Sequence, residues 1–169
     1  MEVKTFRYGS EDVGSGETTF DQIWESEWSR VEKEGLLRYS QPRTNPNLKM
    51  TTHPFRFAFQ YLHDRGVKRR SRVQFDSVNE PFSQERFHFG KVSEREILFQ
   101  FKNDSRRRGK SQSRTVAIVN VSPIEWGHFL LVPDLEDNLP QQLTHRAVTV
   151  ALEMMNLTQN IHFRVRESS

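Results

Sequence analysis

The run Val119–Pro133, VNVSPIEWGHFLLVP, constrains the fold of this chain more than any other stretch. Two apolar segments flank a Ser-Pro-x-x-x-Gly-His turn. β-branched and bulky apolar residues predict strands over about Thr115–Val121 and His128–Val132. Between them Pro123 fixes φ and Gly127 tolerates a positive φ, so Ser122–Gly127 is read as turn chemistry. Two short strands joined by so brief a connection run antiparallel.

The rest of the chain must cover that pair. Thr19 with Gln22 three residues on has the pattern of a capping box. Phe20, Ile23, Trp24, Trp28 and Val31 follow at helical spacing and Gly35 supplies a stop, which predicts an amphipathic helix over 20–34. Residues 1–18 are rich in Gly, Ser and acids and read as a mobile lead. Residues 40–54, with three prolines, read as a surface connector. Phe87–Phe89 and Ile97–Phe101 look like strands joined by a polar turn at Ser93–Glu96. Residues 102–114 read as a long, basic, flexible loop. A further helix capped by Thr144 is expected to carry Ala147, Ala151, Leu152 and Met155 on one face, and Ile161–Val165 to start another strand. Several strands in succession and then a helix suggest an α+β domain with an antiparallel sheet and flanking helices. A doubly wound parallel fold would need helices and strands to alternate.

Composition narrows the function classes. The chain has 169 residues, 34% of them apolar, with thirteen Phe and three Trp as bulky core material. That is enough for one folded domain with a core. No apolar run is long enough for a membrane span, and the N-terminus lacks the build of a signal peptide. With no cysteine there is no disulfide framework and no thiolate metal site, which fits a cytoplasmic protein. No residues have metal-ligand spacing, and no metal or cofactor is expected.

Two segments stand out together, FDSVNEPFSQERFHFGKVSEREILFQF, Phe75–Phe101, and AIVNVSPIEWGHFLLVPDLEDNLPQQLTHRAVTVALEMM, Ala117–Met155. They resemble the GDP-hexose phosphorylases, a branch of the histidine-triad superfamily. The resemblance covers roughly residues 55–165. It implies a histidine-triad-like antiparallel sheet and a two-step transfer with GDP-glucose and inorganic phosphate as substrates. A histidine would take GMP from the GDP-hexose, expelling hexose 1-phosphate, and phosphate would then carry the GMP away as GDP. Covalent catalysis suits this reaction because it replaces the meeting of two phosphate anions with two easier steps. The family's nucleophile lies in a His-x-His run after Gly-Tyr-Asn-Ser, just beyond the strand matching Ile161–Val165. Here Arg166 stands in place of that Gly and neither motif follows. The chain is therefore expected to be a truncated form, its sheet incomplete at the C-terminal end, with no catalytic residue of its own. Its expected organisation is a lead over 1–18, helix and connector over 19–54, and the N-terminal half of the nucleotidyltransferase domain over 55–169.

The resemblance implies nucleotide contacts at Phe89, Val119, Asn120 and Val121. Asn120 would hydrogen-bond the ribose hydroxyls, since an amide both donates and accepts. The rival reading is that Asn120 pairs with backbone at a strand end and that the three apolar residues pack in the core. His128 draws the eye, but beside a turn and an apolar strand it reads as architecture rather than catalyst. The basic clusters Arg65–Arg72 and Arg106–Lys110 with Arg114 could bind phosphate backbones or serve as a nuclear localisation patch, yet no aromatic residues interleave either run, so a solvated face is preferred. The alternatives to an enzyme are a non-catalytic binder of guanine nucleotide or of a partner, or a basic nucleic-acid module. An unpaired sheet edge is expected to favour self-association.

Overall fold

A computed structural model describes residues 2–9, 19–44, 48–51, 57–68, 77, 81–104, 113–139 and 142–166. Its centre is a four-stranded sheet in the order β1-β4-β5-β6, formed by β1 (Thr5–Tyr8), β4 (Ile97–Asn103), β5 (Thr115–Val119) and β6 (Phe129–Val132). β4, β5 and β6 are antiparallel neighbours, as expected. β1 runs parallel to β4, so the sheet is mixed. Within the stretch expected to be a mobile lead, Thr5–Tyr8 thus form a strand, with Phe6 and Tyr8 buried. Four residues between Lys4 and Gly9 are too short a signal to stand out in the sequence. Their place is fixed by pairing with β4.

Helix α1 (Phe20–Lys33) starts where the sequence put it. The Thr19 hydroxyl accepts from the Gln22 N–H at 3.3 Å, and the Gln22 side chain accepts from the Thr19 N–H at 2.9 Å. It ends on Gly35 at φ +66°, with Leu36 N–H donating to Val31 C=O and Gly35 N–H to Glu32 C=O. These two bonds satisfy carbonyls the helix cannot satisfy itself. The stripe Phe20, Ile23, Trp24, Trp28 and Val31 packs on one sheet face with Phe6, Phe99, Phe101, Ala117 and Val119. A bulge between Ile97 and Phe99 turns both Leu98 and Phe99 to that face. The opposite face carries a smaller cluster of Ile97, Val116, Ile118 and Leu135, with Phe89, Val92 and Val132 against it.

A second, two-stranded ribbon pairs β2 (Leu48–Met50), inside the stretch read as connector, with β3 (Ala58–Gln60), which follows it. A short helix α2 (His63–Lys68) follows. The basic residues Arg69, Arg70 and Arg72, and the loop over 105–112, lie outside the described residues.

Three expectations fail on local detail. Phe87–Phe89 is not a strand: Lys91 N–H bonds His88 C=O and Val92 N–H bonds Phe89 C=O, so a tight turn over Phe89–Lys91 uses the groups a ladder would need. Ile161–Val165 is not a strand either. Asn160 accepts from the N–H of His162 with its side chain and of Phe163 with its backbone, which folds a turn. Helix α3 (His145–Leu157), capped by Thr144 as expected, buries Val150 and Met154 rather than Leu152 and Met155. Arg146, bonded to Asp134 and Thr115, and Glu153, bonded to Tyr8 and Asn103, lie on the same side as Val150 and set the rotation.

Candidate functional site

The turn between β5 and β6 is held from several directions. The register of β5 and β6 extends by one pair, with Asn120 N–H bonding His128 C=O at 3.2 Å. Six of its carbonyls each meet a donor. Val121 C=O accepts from the Arg38 N–H at 2.8 Å, and Glu125 C=O from the His128 N–H at 3.3 Å. Ser122 C=O accepts from the Arg65 guanidinium, and Pro123 C=O from the Tyr39 hydroxyl at 2.9 Å. Ile124 C=O accepts from the Gln60 side chain at 2.8 Å, and Gly127 C=O from the Trp24 indole at 3.1 Å. A turn with six carbonyls each held by a donor has little freedom to move, although the buried Ser122 hydroxyl has no partner among the described residues. Gly127, at φ +80°, is required twice over: a Cβ there would come within 2.4 Å of the Trp24 ring. Trp126 packs on Trp24 and Trp28 and carries the Arg43 guanidinium over its face at 4.1 Å.

His128 is part of this framework. Its Nδ1 accepts from the Ile124 N–H at 3.1 Å, which requires that nitrogen to be unprotonated. Burial first, and then the positive charges of Arg166 and Arg65, pull its pKa down to about 4. At neutral pH the ring is uncharged and structural, in line with its reading as architecture.

The four expected nucleotide residues are split between the two sheet faces. Val119 is buried in the α1-side core, and Val121 packs against the same cluster. Phe89 packs on the opposite face. Asn120, one residue past β5 and opposite His128, falls by strand alternation on the side of Ile118 and Phe89. Its Oδ1 accepts from the Ser122 N–H at 3.0 Å and its Nδ2 lies 3.5 Å from His128 Nδ1. The backbone pairing foreseen as the rival reading is therefore present. Arg65, read as part of a solvated basic run, reaches into the turn instead. Gln60 and Tyr39 were not foreseen, because donors to a turn 57 to 84 residues away leave no local pattern.

The chain matches the family described as GDPGP1-like, N-terminal domain, over residues 19–166. It belongs to that family. It is 33% identical to GDP-D-glucose phosphorylase 1 of Danio rerio over 89% of this chain and 41% of the relative. It is 34% identical to GDP-L-galactose phosphorylase 2 of Arabidopsis thaliana, over 94% of this chain and 39% of the relative. The match to GDP-D-glucose phosphorylase 1 of Bos taurus is 34%, covering 86% and 38% respectively. The chain thus spans about two fifths of the length of these GDP-hexose phosphorylases. No solved structure matches it. Among the described residues no helix is long and apolar enough to cross a membrane.

Proposed function

We propose that this chain is the nucleotide-cradling part of a GDP-hexose phosphorylase acting in the cytoplasm, with GDP-glucose as donor and inorganic phosphate as acceptor. In the first step an imidazole nitrogen bonds to the α-phosphorus, and the bond to the bridging oxygen breaks, releasing glucose 1-phosphate. In the second a phosphate oxygen takes the phosphorus from the imidazole, and GDP leaves. The family match over residues 19–166 carries this reading. The sheet and its turn belong to a histidine-triad-like architecture in this proposal.

Asn120 is the residue assigned to the ribose. With Oδ1 taken by Ser122 and one Nδ2 proton directed at His128 Nδ1, the second Nδ2 proton is the group available to a sugar hydroxyl. Phe89 lies on the same face and is assigned to the base, whereas Val119 and Val121 support the turn from the α1 side. Arg65 and Arg166, whose charges bear on His128, add positive potential where a diphosphate would lie.

None of the six histidines within these 169 residues sits in a His-x-His run, so the nucleophile is assigned outside them. The polypeptide by itself is then a guanine-nucleotide binder without turnover. Incubation of the purified chain with GDP-glucose and phosphate should release no GDP above a protein-free control, as read by chromatography. Stoichiometric or faster release would overturn the assignment. Calorimetric titration with GDP should give binding that Asn120→Ala weakens about tenfold, the size expected for one lost hydrogen bond to a polar partner. A flat titration would sink nucleotide binding by this part.

A further inference from the structure

Helix α3 is turned the opposite way from an ordinary surface helix. Of its 13 residues only Arg146 and Glu153 come from the Arg, Lys, Asp and Glu set, and both point into the fold. Arg146 donates to Asp134 at 2.7 Å and to Thr115 at 3.2 Å. Glu153 accepts from the Tyr8 hydroxyl and, at 3.1 Å, from the Asn103 side chain. At about 100° per residue, the side opposite Val150 and Met154 falls to Val148, Leu152 and Met155. These are 39%, 55% and 46% exposed. A chain with 28% charged residues thus keeps a helix face free of them. Charges ordinarily sit on the solvent side of a helix, so an apolar stripe there, with the charges inside, marks a face that is covered.

A second copy of the chain fits as the cover. The chain carries a net charge of +3, which opposes the approach of another copy, and this face brings none of that charge into the contact. An apolar stripe is its own complement, so a two-fold axis can use it twice and close the assembly at two copies. Antiparallel helices set each positive N-terminus beside a negative C-terminus. The centre of the stripe, midway between Val148 and Met155, falls at Leu152. A two-fold axis there places Leu152 beside its counterpart and Val148 against Met155 of the second copy. At the edge of the stripe the Thr149 hydroxyl donates to His145 C=O at 2.8 Å, so burial strands no donor there. We propose that α3 packs on α3 of a second copy in this antiparallel arrangement. One helix pair falls well short of the ~800 Å² per partner of a standard interface, so the dimer forms and dissociates with concentration.

Sedimentation equilibrium of the 169-residue chain should show reversible dimerisation. Leu152→Glu, at an exposed position, sets like charges together at the axis and should weaken the dimer at least about tenfold. Leu152→Met keeps size and apolarity and should leave it within about twofold. Circular dichroism and the urea midpoint establish that both variants are folded. Because the chain has no cysteine, Leu152→Cys reports the contact directly. Mild oxidation should link two copies through it, whereas Ile161→Cys, at a position 90% exposed beyond the helix, should link far less. A monomer at every concentration leaves the face to a different partner and overturns the proposal. So does a dimer that Leu152→Glu leaves intact, or equal linking at the two cysteines. Association that Leu131→Pro abolishes while Leu152→Glu leaves it untouched belongs to β6 alone, and overturns it as well.

Discussion

Gly127 and His128 carry more of the turn's geometry than their size suggests. At Gly127, alanine would face both a positive φ and the Trp24 ring, and the ring cannot withdraw without giving up its bond to Gly127 C=O. Gly127→Ala should destabilise the chain by about 2–4 kcal/mol, read as a lower urea midpoint at unchanged slope. His128 sets a pH dependence. Its pKa in the fold, about 4, lies below the ordinary value of 6.5, so the unfolded chain binds the extra proton between those limits. Stability from this group is complete above about pH 6.5 and is lost as the pH falls toward 4. It amounts to at most about 3 kcal/mol. Chemical denaturation from pH 7.5 to 4 should show that slope, and His128→Asn should flatten it while lowering stability at neutral pH. Equal slopes in both proteins would remove His128 as the cause.

Between elements, the tie between β1 and α1 is the most consequential. Glu27 is buried on α1 and meets Lys4 at 2.6 Å and Arg30 at 2.6 Å. Arg30 in turn donates to the carbonyls of Arg95 and Ile97, beside and at the start of β4. On the aromatic side Phe6 stacks on Phe101 at 5.9 Å and meets Phe20 edge-on at 5.6 Å. Phe6→Ala should therefore cost about 3–5 kcal/mol, as for a buried core ring. A dispensable lead would show almost no change in melting temperature, so thermal unfolding decides the matter. At the other side of the sheet β6 is an edge among the described residues. The proposal that copies pair along it expects sedimentation to show concentration-dependent association. Leu131→Pro should suppress it, since proline removes a donor from the free edge.

Across the whole molecule, what was legible in the sequence was whatever depends on near neighbours. The capping box at Thr19, the Schellman ending at Gly35, the Thr144 cap and the strands flanking Ser122–His128 all rest on side chains within a few residues of the groups they satisfy. The long mixed pattern of Phe75–Met155 likewise carried the family resemblance, because it is a property of residue order. What remained hidden depends on distant partners. β1 exists because β4 pairs with it some 95 residues later in the chain, at Thr5 and Gln100. Helix α3 turns Val150 inward because Tyr8, Asn103 and Asp134 hold its neighbours. The turn's donors Trp24, Tyr39, Gln60 and Arg65 are likewise brought to it by the fold. By itself, then, the sequence determined the family, the turn and the local signals that begin and end its helices. Tertiary structure decided which face each element buries and which side chains lock the turn, because burial and hydrogen-bond satisfaction are settled only when remote segments meet.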